Sequence, residues 1–186
     1  DFSHMFTGVS KFVKNSDIAI GTLETNFIEG KYSGVGKYNS PIEFLKAVKD
    51  SGIGLVSLAH NHVLDYGTQG LETTISKIKE QNIEITGIKE NLERTNEQDE
   101  NTLDEEKQEN PDFTGNIKEI NGIKVAFLGY TYGLSNENEV TDEKKSANIY
   151  SEELAQKDIE YAKQNSNYII AIMHWGDVNS SEISEY

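Results

Sequence analysis

The sequence predicts an α/β fold, on three observations. Short apolar runs of strand type alternate with segments whose apolar residues recur at helical spacing. That alternation belongs to a sheet with helices packed against it. A chain of 186 residues can bury roughly 70% of its unfolded surface, enough for one domain with a core. Third, several strand-type runs end directly in a polar side chain of ligand type, as happens where the carboxyl ends of strands line a crevice.

Phe6, Val9, Phe12 and Val13 give residues 6–15 helical spacing. A short strand is expected over 17–21, "DIAIG", with Glu24 close behind it. The Gly-, Ser- and Tyr-rich segment 29–40 is a loop by composition. Ser40-Pro41-Ile42-Glu43 has the form of a capping box with proline at the first helical position. Phe44, Leu45 and Val48 continue an apolar face, and Gly52 stands where a glycine ends a helix. "IGLVSLA", 53–59, is a buried-type strand; a helix over 69–82 carries Leu71, Ile75 and Ile78, and "IEITG", 83–87, is a further strand.

Residues 93–112 hold nine acidic and two basic side chains. So little apolar surface cannot offset the entropy of ordering, and a mobile, solvated insertion is expected. Beyond it, 117–131 forms a hairpin about Asn121-Gly122. A helix over 151–165 has Ser151 as its candidate N-cap, and "YIIAIM", 168–173, is another buried-type strand. The pattern leaves the strand order open.

Composition excludes several chemistries. The net charge is −15, so nucleic acid is repelled over most of the surface. An anionic substrate needs a local cation, most simply a bound metal. There is no cysteine, which excludes thiolate metal sites, disulfides and thiol catalysis. No apolar run approaches the roughly 18 residues of a membrane span, and no signal-peptide pattern is read. The chain opens on Asp1 rather than Met, as a processed or excised piece would.

Three strand ends carry the candidate chemistry. "DIAIGTLE" ends in Glu24, "IGLVSLAHNH" in His60, Asn61 and His62, and "YIIAIMH" in His174. Carboxylate, amide oxygen and imidazole suit Mn, Fe or Zn. Two such ions about 3.5–4 Å apart clamp a phosphate and generate hydroxide near neutral pH. Each residue also has a plainer reading. A histidine at a strand end serves structure, Glu24 caps a helix or sits on the surface, and Asp65 before Tyr66-Gly67 shapes a turn. Trp175 packs, and His4 has no suggestive neighbours.

At these same residues the sequence resembles a known family. "DFSHMFTGVSKFVKNSD", "DIAIGTLETNF", "SLAHNHVLDYGTQGLETTI", "NGIKVAFLGYTYG" and "IIAIMHWG" are similar, in order and spacing, to motifs of the bacterial poly-γ-glutamate capsule biosynthesis family, the CapA-type proteins. The resemblance implies an α/β, metallophosphatase-like β-sandwich flanked by helices. It implies one partial domain over 1–186 with the insertion at 93–112, because the family's opening Gly-Asp strand and closing His-Pro-His loop are not among these residues. By the same resemblance Glu24, Asn61 and His174 are metal ligands, His62 is the general acid, and Asp65 orients it. The cofactor is a divalent metal (Mn, Fe or Zn) in the intact parent, held weakly or not at all by this chain alone.

The partners so implied are an anionic polymer or phosphoester substrate and a capsule synthesis membrane complex, with no nucleic acid. The location is the extracytoplasmic cell surface, anchored through a segment outside this chain. The sequence departs from the family where Thr22-Leu23-Glu24 replaces "NLE" and His60-Asn61-His62 replaces "NNH". Two functions remain open. One is a metal-dependent hydrolase or transferase; the alternative is a non-catalytic polymer-binding or assembly protein on the same fold.

Overall fold

Helical crossovers join the strands, so most pairing is parallel. The computed structural model describes residues 1–89, 112–136, 146–176 and 182. The insertion expected at 93–112 lies outside the described residues except for Asp112. So does most of the chain after Gly176.

The first sheet has the order β1-β2-β3, built from β1 (Ile20–Thr22), β2 (Leu55–Ser57) and β3 (Glu84–Thr86), all parallel. Between β1 and β2 runs α2 (Ile42–Ser51), and between β2 and β3 runs α3 (Gly67–Glu80). A 3-10 turn, Ser3–Phe6, and a short helix, α1 (Ser10–Lys14), precede β1. The single helix expected over 6–15 is thus broken, and Phe12 is 77% exposed instead of lining an apolar face. Phe6 does pack, with its ring 6.3 Å from that of Phe44.

The capping box at Ser40 does not form. Pro41 is the N-cap of α2 in extended conformation, and no side chain caps the helix. The Ser40 hydroxyl is instead hydrogen-bonded to Thr25 Oγ1 at 2.8 Å, a tertiary contact that outcompetes the local one. The other end is as expected, with Gly52 left-handed at φ 105°. Leu45 and Val48 of α2, and Leu71, Ile75 and Ile78 of α3, bury against Val56, Leu58 and Ile85. Each such leucine or isoleucine contributes about 2 kcal/mol by leaving water.

The second sheet has the order β4-β5-β6, from β4 (Asn116–Ile120), β5 (Ile123–Thr131) and β6 (Tyr168–His174). β4 and β5 form the expected antiparallel hairpin, with Asn121 at φ 51° and Gly122 at φ 81°. α4 (Glu152–Asn165) carries the chain to β6, which pairs parallel to β5. Its N-cap is Ser151, whose side chain accepts from the Leu154 N–H. β6 is not the buried strand its composition suggests. It lies at the sheet edge, and Tyr168, Ile170 and Met173 are 65%, 46% and 44% exposed.

The sheets meet where side chains are smallest. Gly87, at the end of β3, and Gly129, in β5, lie backbone to backbone, so that a Cβ on Gly129 would stand 3.0 Å from the Gly87 Cα. The Thr86 hydroxyl donates to the Phe127 carbonyl at 2.5 Å, and the Asn116 amide donates to the Ile85 carbonyl at 3.3 Å. Lys118 and Glu84 pair across the same junction. No described helix is long and apolar enough to cross a membrane.

Candidate active site

The turn after β2 builds the centre of the site. Successive turns, Val63 N–H to the His60 carbonyl and Asp65 N–H to the His62 carbonyl, both at 3.2 Å, wind residues 60–65 into a tight coil ahead of α3. The Asn26 side chain, 1% exposed, donates to the carbonyls of His62 at 3.0 Å and Tyr38 at 3.2 Å. It ties the coil to the segment after β1.

His62 is held on three sides. Its Nδ1 lies 3.1 and 3.0 Å from the two Asp65 oxygens. Its ring meets the Tyr38 ring edge-on at 4.2 Å. Its Nε2 lies 3.3 Å from Ser135 Oγ. The Asp65 side chain is 1% exposed and also accepts from the Tyr38 N–H at 2.8 Å. Burial raises the Asp65 carboxyl above its ordinary range, while the Tyr38 N–H and His62 pull the other way. A carboxylate only accepts, so neutral His62 carries its proton on Nδ1 and leaves Nε2 as an acceptor.

The next strand ends bring their groups to the same edge. Asn61 Oδ1 accepts from His174 Nε2 at 2.9 Å, and Glu24 Oε1 lies 4.0 Å from that nitrogen. The Asn61 amide donates to Ser135 Oγ at 2.6 Å. Tyr132 stacks on the His174 ring at 6.2 Å. The structure therefore gathers Glu24, Asn61, His62, Asp65 and His174, which the sequence scatters over the two sheets.

His60 stands apart from this group. It is 1% exposed, and its Nδ1 accepts from the His62 N–H at 3.2 Å. Burial, then the neighbouring His174 and His62, lower its pKa to about 3. It is a neutral structural imidazole under the coil. Trp175 packs edge-on against Tyr150 at 5.3 Å, and His4 is exposed near Asp1.

Sequence reasoning missed Asn26, Tyr38 and Ser135. Ser135 was within reach of the rule that found the others, because it follows the carboxyl end of β5 as Asn61 follows that of β2. The Asn26 amide meets only backbone carbonyls, and Tyr38 meets the site through its N–H and the edge of its ring, contacts that leave no motif.

The donor set suits a divalent ion in type. Asn61 Oδ1, His174 Nε2 and Glu24 Oε1 point to one place and offer amide oxygen, imidazole and carboxylate. It is short in number. Among the described residues no three His, Asp or Glu side chains converge to hold a metal, and His60 already has partners on its coil.

Comparison with known proteins gives a consistent picture. The family model described as bacterial capsule synthesis protein PGA_cap matches residues 1–186. The chain is 27% identical over 186 residues to the capsule biosynthesis protein CapA of Bacillus anthracis, covering 94% of this chain and 41% of that protein. It is 25% identical over 135 residues to the PGA biosynthesis protein CapA of Bacillus subtilis (strain 168), covering 72% of this chain and 31% of that one. The chain thus spans less than half the length of either relative. Among solved structures, Haemophilus influenzae NAD nucleotidase superposes with a TM-score of 0.50 at 18% identity, over 95% of this chain and 28% of that one. That likeness is one of fold alone, and it agrees with the α/β, sandwich-type architecture read from the sequence.

Proposed function

The chain belongs to the PGA_cap family of bacterial capsule synthesis proteins, and on that premise we propose that its strand-end site is the acid-base half of a metal-dependent phosphoester hydrolase or transferase serving capsule polymer synthesis. One observation carries the reading. An oriented acid-base pair, Asp65–His62, stands beside the convergent donors Asn61, His174 and Glu24.

A divalent ion held by Glu24, Asn61 and His174 would supply the positive charge that attracts an anionic substrate to an acidic protein and activate water there. The chain's own residues do the rest. Asp65 fixes the orientation of the His62 ring by accepting from Nδ1. Protonated His62 can deliver the Nε2 proton to a leaving alkoxide. Tyr38 limits rotation of the ring. In this reading the protein acts at the cell surface, with the polymer or a phosphorylated precursor as substrate; the family's capsule role supports it.

The test is hydrolysis of bis-p-nitrophenyl phosphate by the full-length protein with added Mn²⁺. His62→Ala should lower kcat by about 10²-fold or more. An equal rate in wild type and variant overturns the assignment. A second reading, a non-catalytic polymer-binding protein, is favoured by the shortage of converging metal donors among the described residues. Polymer binding that survives chelation, without turnover, selects it.

A further inference from the structure

Ser135 completes a relay that phosphoester chemistry does not require. Asp65 accepts from His62 Nδ1, and His62 Nε2 faces Ser135 Oγ at 3.3 Å. The direction of the hydrogen bonds is fixed from the far end. Asn61 Oδ1 is taken by His174, so the Asn61 nitrogen is the group that meets Ser135, and it can only donate. Having accepted there, the Ser135 hydroxyl directs its own proton to His62 Nε2. This is the polarity a serine nucleophile needs, with a base in turn oriented by a buried carboxylate.

The placement is built rather than incidental. The Ser135 N–H donates to the Asn61 carbonyl at 2.8 Å, and the next side chain, Asn136, donates to the Leu64 carbonyl at 2.8 Å. Both bonds pin the residue to the coil that carries His62. Ser135 is itself exposed, so a substrate can reach it.

We infer that Ser135, His62 and Asp65 form a nucleophilic triad for metal-independent acyl transfer from an ester or amide, with the Asn61 side chain as a donor to the developing oxyanion. Ser135 Oγ attacks the carbonyl carbon while its proton passes to His62 Nε2. The carbon–heteroatom bond breaks, and the leaving group departs with that proton. The product is an acyl-Ser135 ester. Water, or an acceptor amine, repeats the sequence, releases the acyl group and restores the serine. The Asn61 nitrogen, 2.6 Å from Ser135 Oγ, is close enough to meet the oxyanion.

The inference shares His62 and Asp65 with the phosphoester reading but not its metal or substrate, so the two fail separately. The experiment treats the chain with an ethyl fluorophosphonate probe in EDTA, with intact mass and peptide mapping as readout. One adduct per chain on Ser135 is expected, absent from Ser135→Ala and formed at least about tenfold more slowly in His62→Ala. No adduct on folded wild-type protein, an adduct elsewhere, or an equal rate in His62→Ala overturns the triad. Should His62→Ala lose its circular dichroism signal, Ser135→Cys replaces it as the test. The chain has no cysteine, so that thiol is unique. Its alkylation by iodoacetamide should run at least about tenfold faster than that of Ser16→Cys on the exposed surface, and equal rates overturn the proposal.

Discussion

Asn61 Oδ1 and His174 Nε2 meet at 2.9 Å, although 113 positions separate them and they belong to the ends of strands in different sheets, Asn61 after β2 and His174 closing β6. The contact joins the carboxyl ends of β2 and β6, and it occupies the two atoms a metal would use. An ion must replace this hydrogen bond, deprotonate Nε2 and find further donors. Glu24, 42% exposed, lies 4.0 Å from His174 Nε2. Mn²⁺ or Zn²⁺ should therefore bind this chain no tighter than about 1 μM, since affinity follows ligand number and preorganisation. Isothermal titration checks it, and a sub-micromolar constant would refute the partial-site account.

The approach of Gly129 to Gly87 sets how closely the sheets, and so the two halves of the site, can lie. A methyl on Gly129 would sit 2.6 Å from Ser57 Oγ and 3.0 Å from the Gly87 Cα. Backbone cannot yield as a side chain does. Gly129→Ala should lower unfolding free energy by about 2–3 kcal/mol. Gly54→Ala is the matched control, with nothing within 4 Å of its Cβ, and should be neutral or slightly stabilising. Urea unfolding of the two variants decides; equal midpoints would mean that the glycine junction is not a close contact in solution.

How far the sequence discloses this arrangement differs from element to element. The α/β alternation, the Asn121-Gly122 hairpin and the Ser151 cap are legible because each is a local rule satisfied locally. The Ser40 capping box fails because its hydroxyl has a better partner in Thr25, fifteen positions away. The exposure of β6 is illegible for a related reason, because composition reports apolar content but not position in the sheet. In the site, Glu24, Asn61, His62 and His174 are legible as strand-end groups. Their convergence depends on two sheets meeting at Gly87 and Gly129, a relation that no periodicity encodes. Ser135 and Asn26 become visible only with that packing in place.

Asp158 holds the second sheet to its helix. It is 1% exposed and accepts from the Thr114 N–H at 3.0 Å, the Thr114 hydroxyl at 2.6 Å and the Tyr130 hydroxyl at 2.9 Å. Burial, and then the charge of Asp158 beside it, push the Tyr130 phenol far up, so Tyr130 stays a donor at any ordinary pH. Asp158→Ala strands these donors in the interior and should cost about 3 kcal/mol. Ser151→Ala on the same helix removes only a cap and should cost about 1 kcal/mol. Chemical denaturation measures both, and an Asp158→Ala loss no larger than that of Ser151→Ala would show the network to be dispensable.

His60 makes stability depend on pH in a definite direction. Its folded pKa, about 3 against an ordinary 6.5, means that between those values the unfolded chain takes up a proton that the folded chain refuses. Stability therefore falls as pH drops below about 6.5 and goes on falling toward pH 3, by up to about 1.4 kcal/mol per pH unit for one proton. Asp65 runs the other way. Its raised carboxyl adds stability at acidic pH that is lost as pH rises through its folded value. His60→Gln keeps Asp65 but cannot take up the proton, so the difference between wild type and variant isolates the imidazole. Urea unfolding at pH 7.5, 6.5 and 5.5 should show the wild type losing stability relative to His60→Gln at each step down. A constant difference across the series would mean that His60 is open to solvent, and the coil that carries His62 would lack its buried floor.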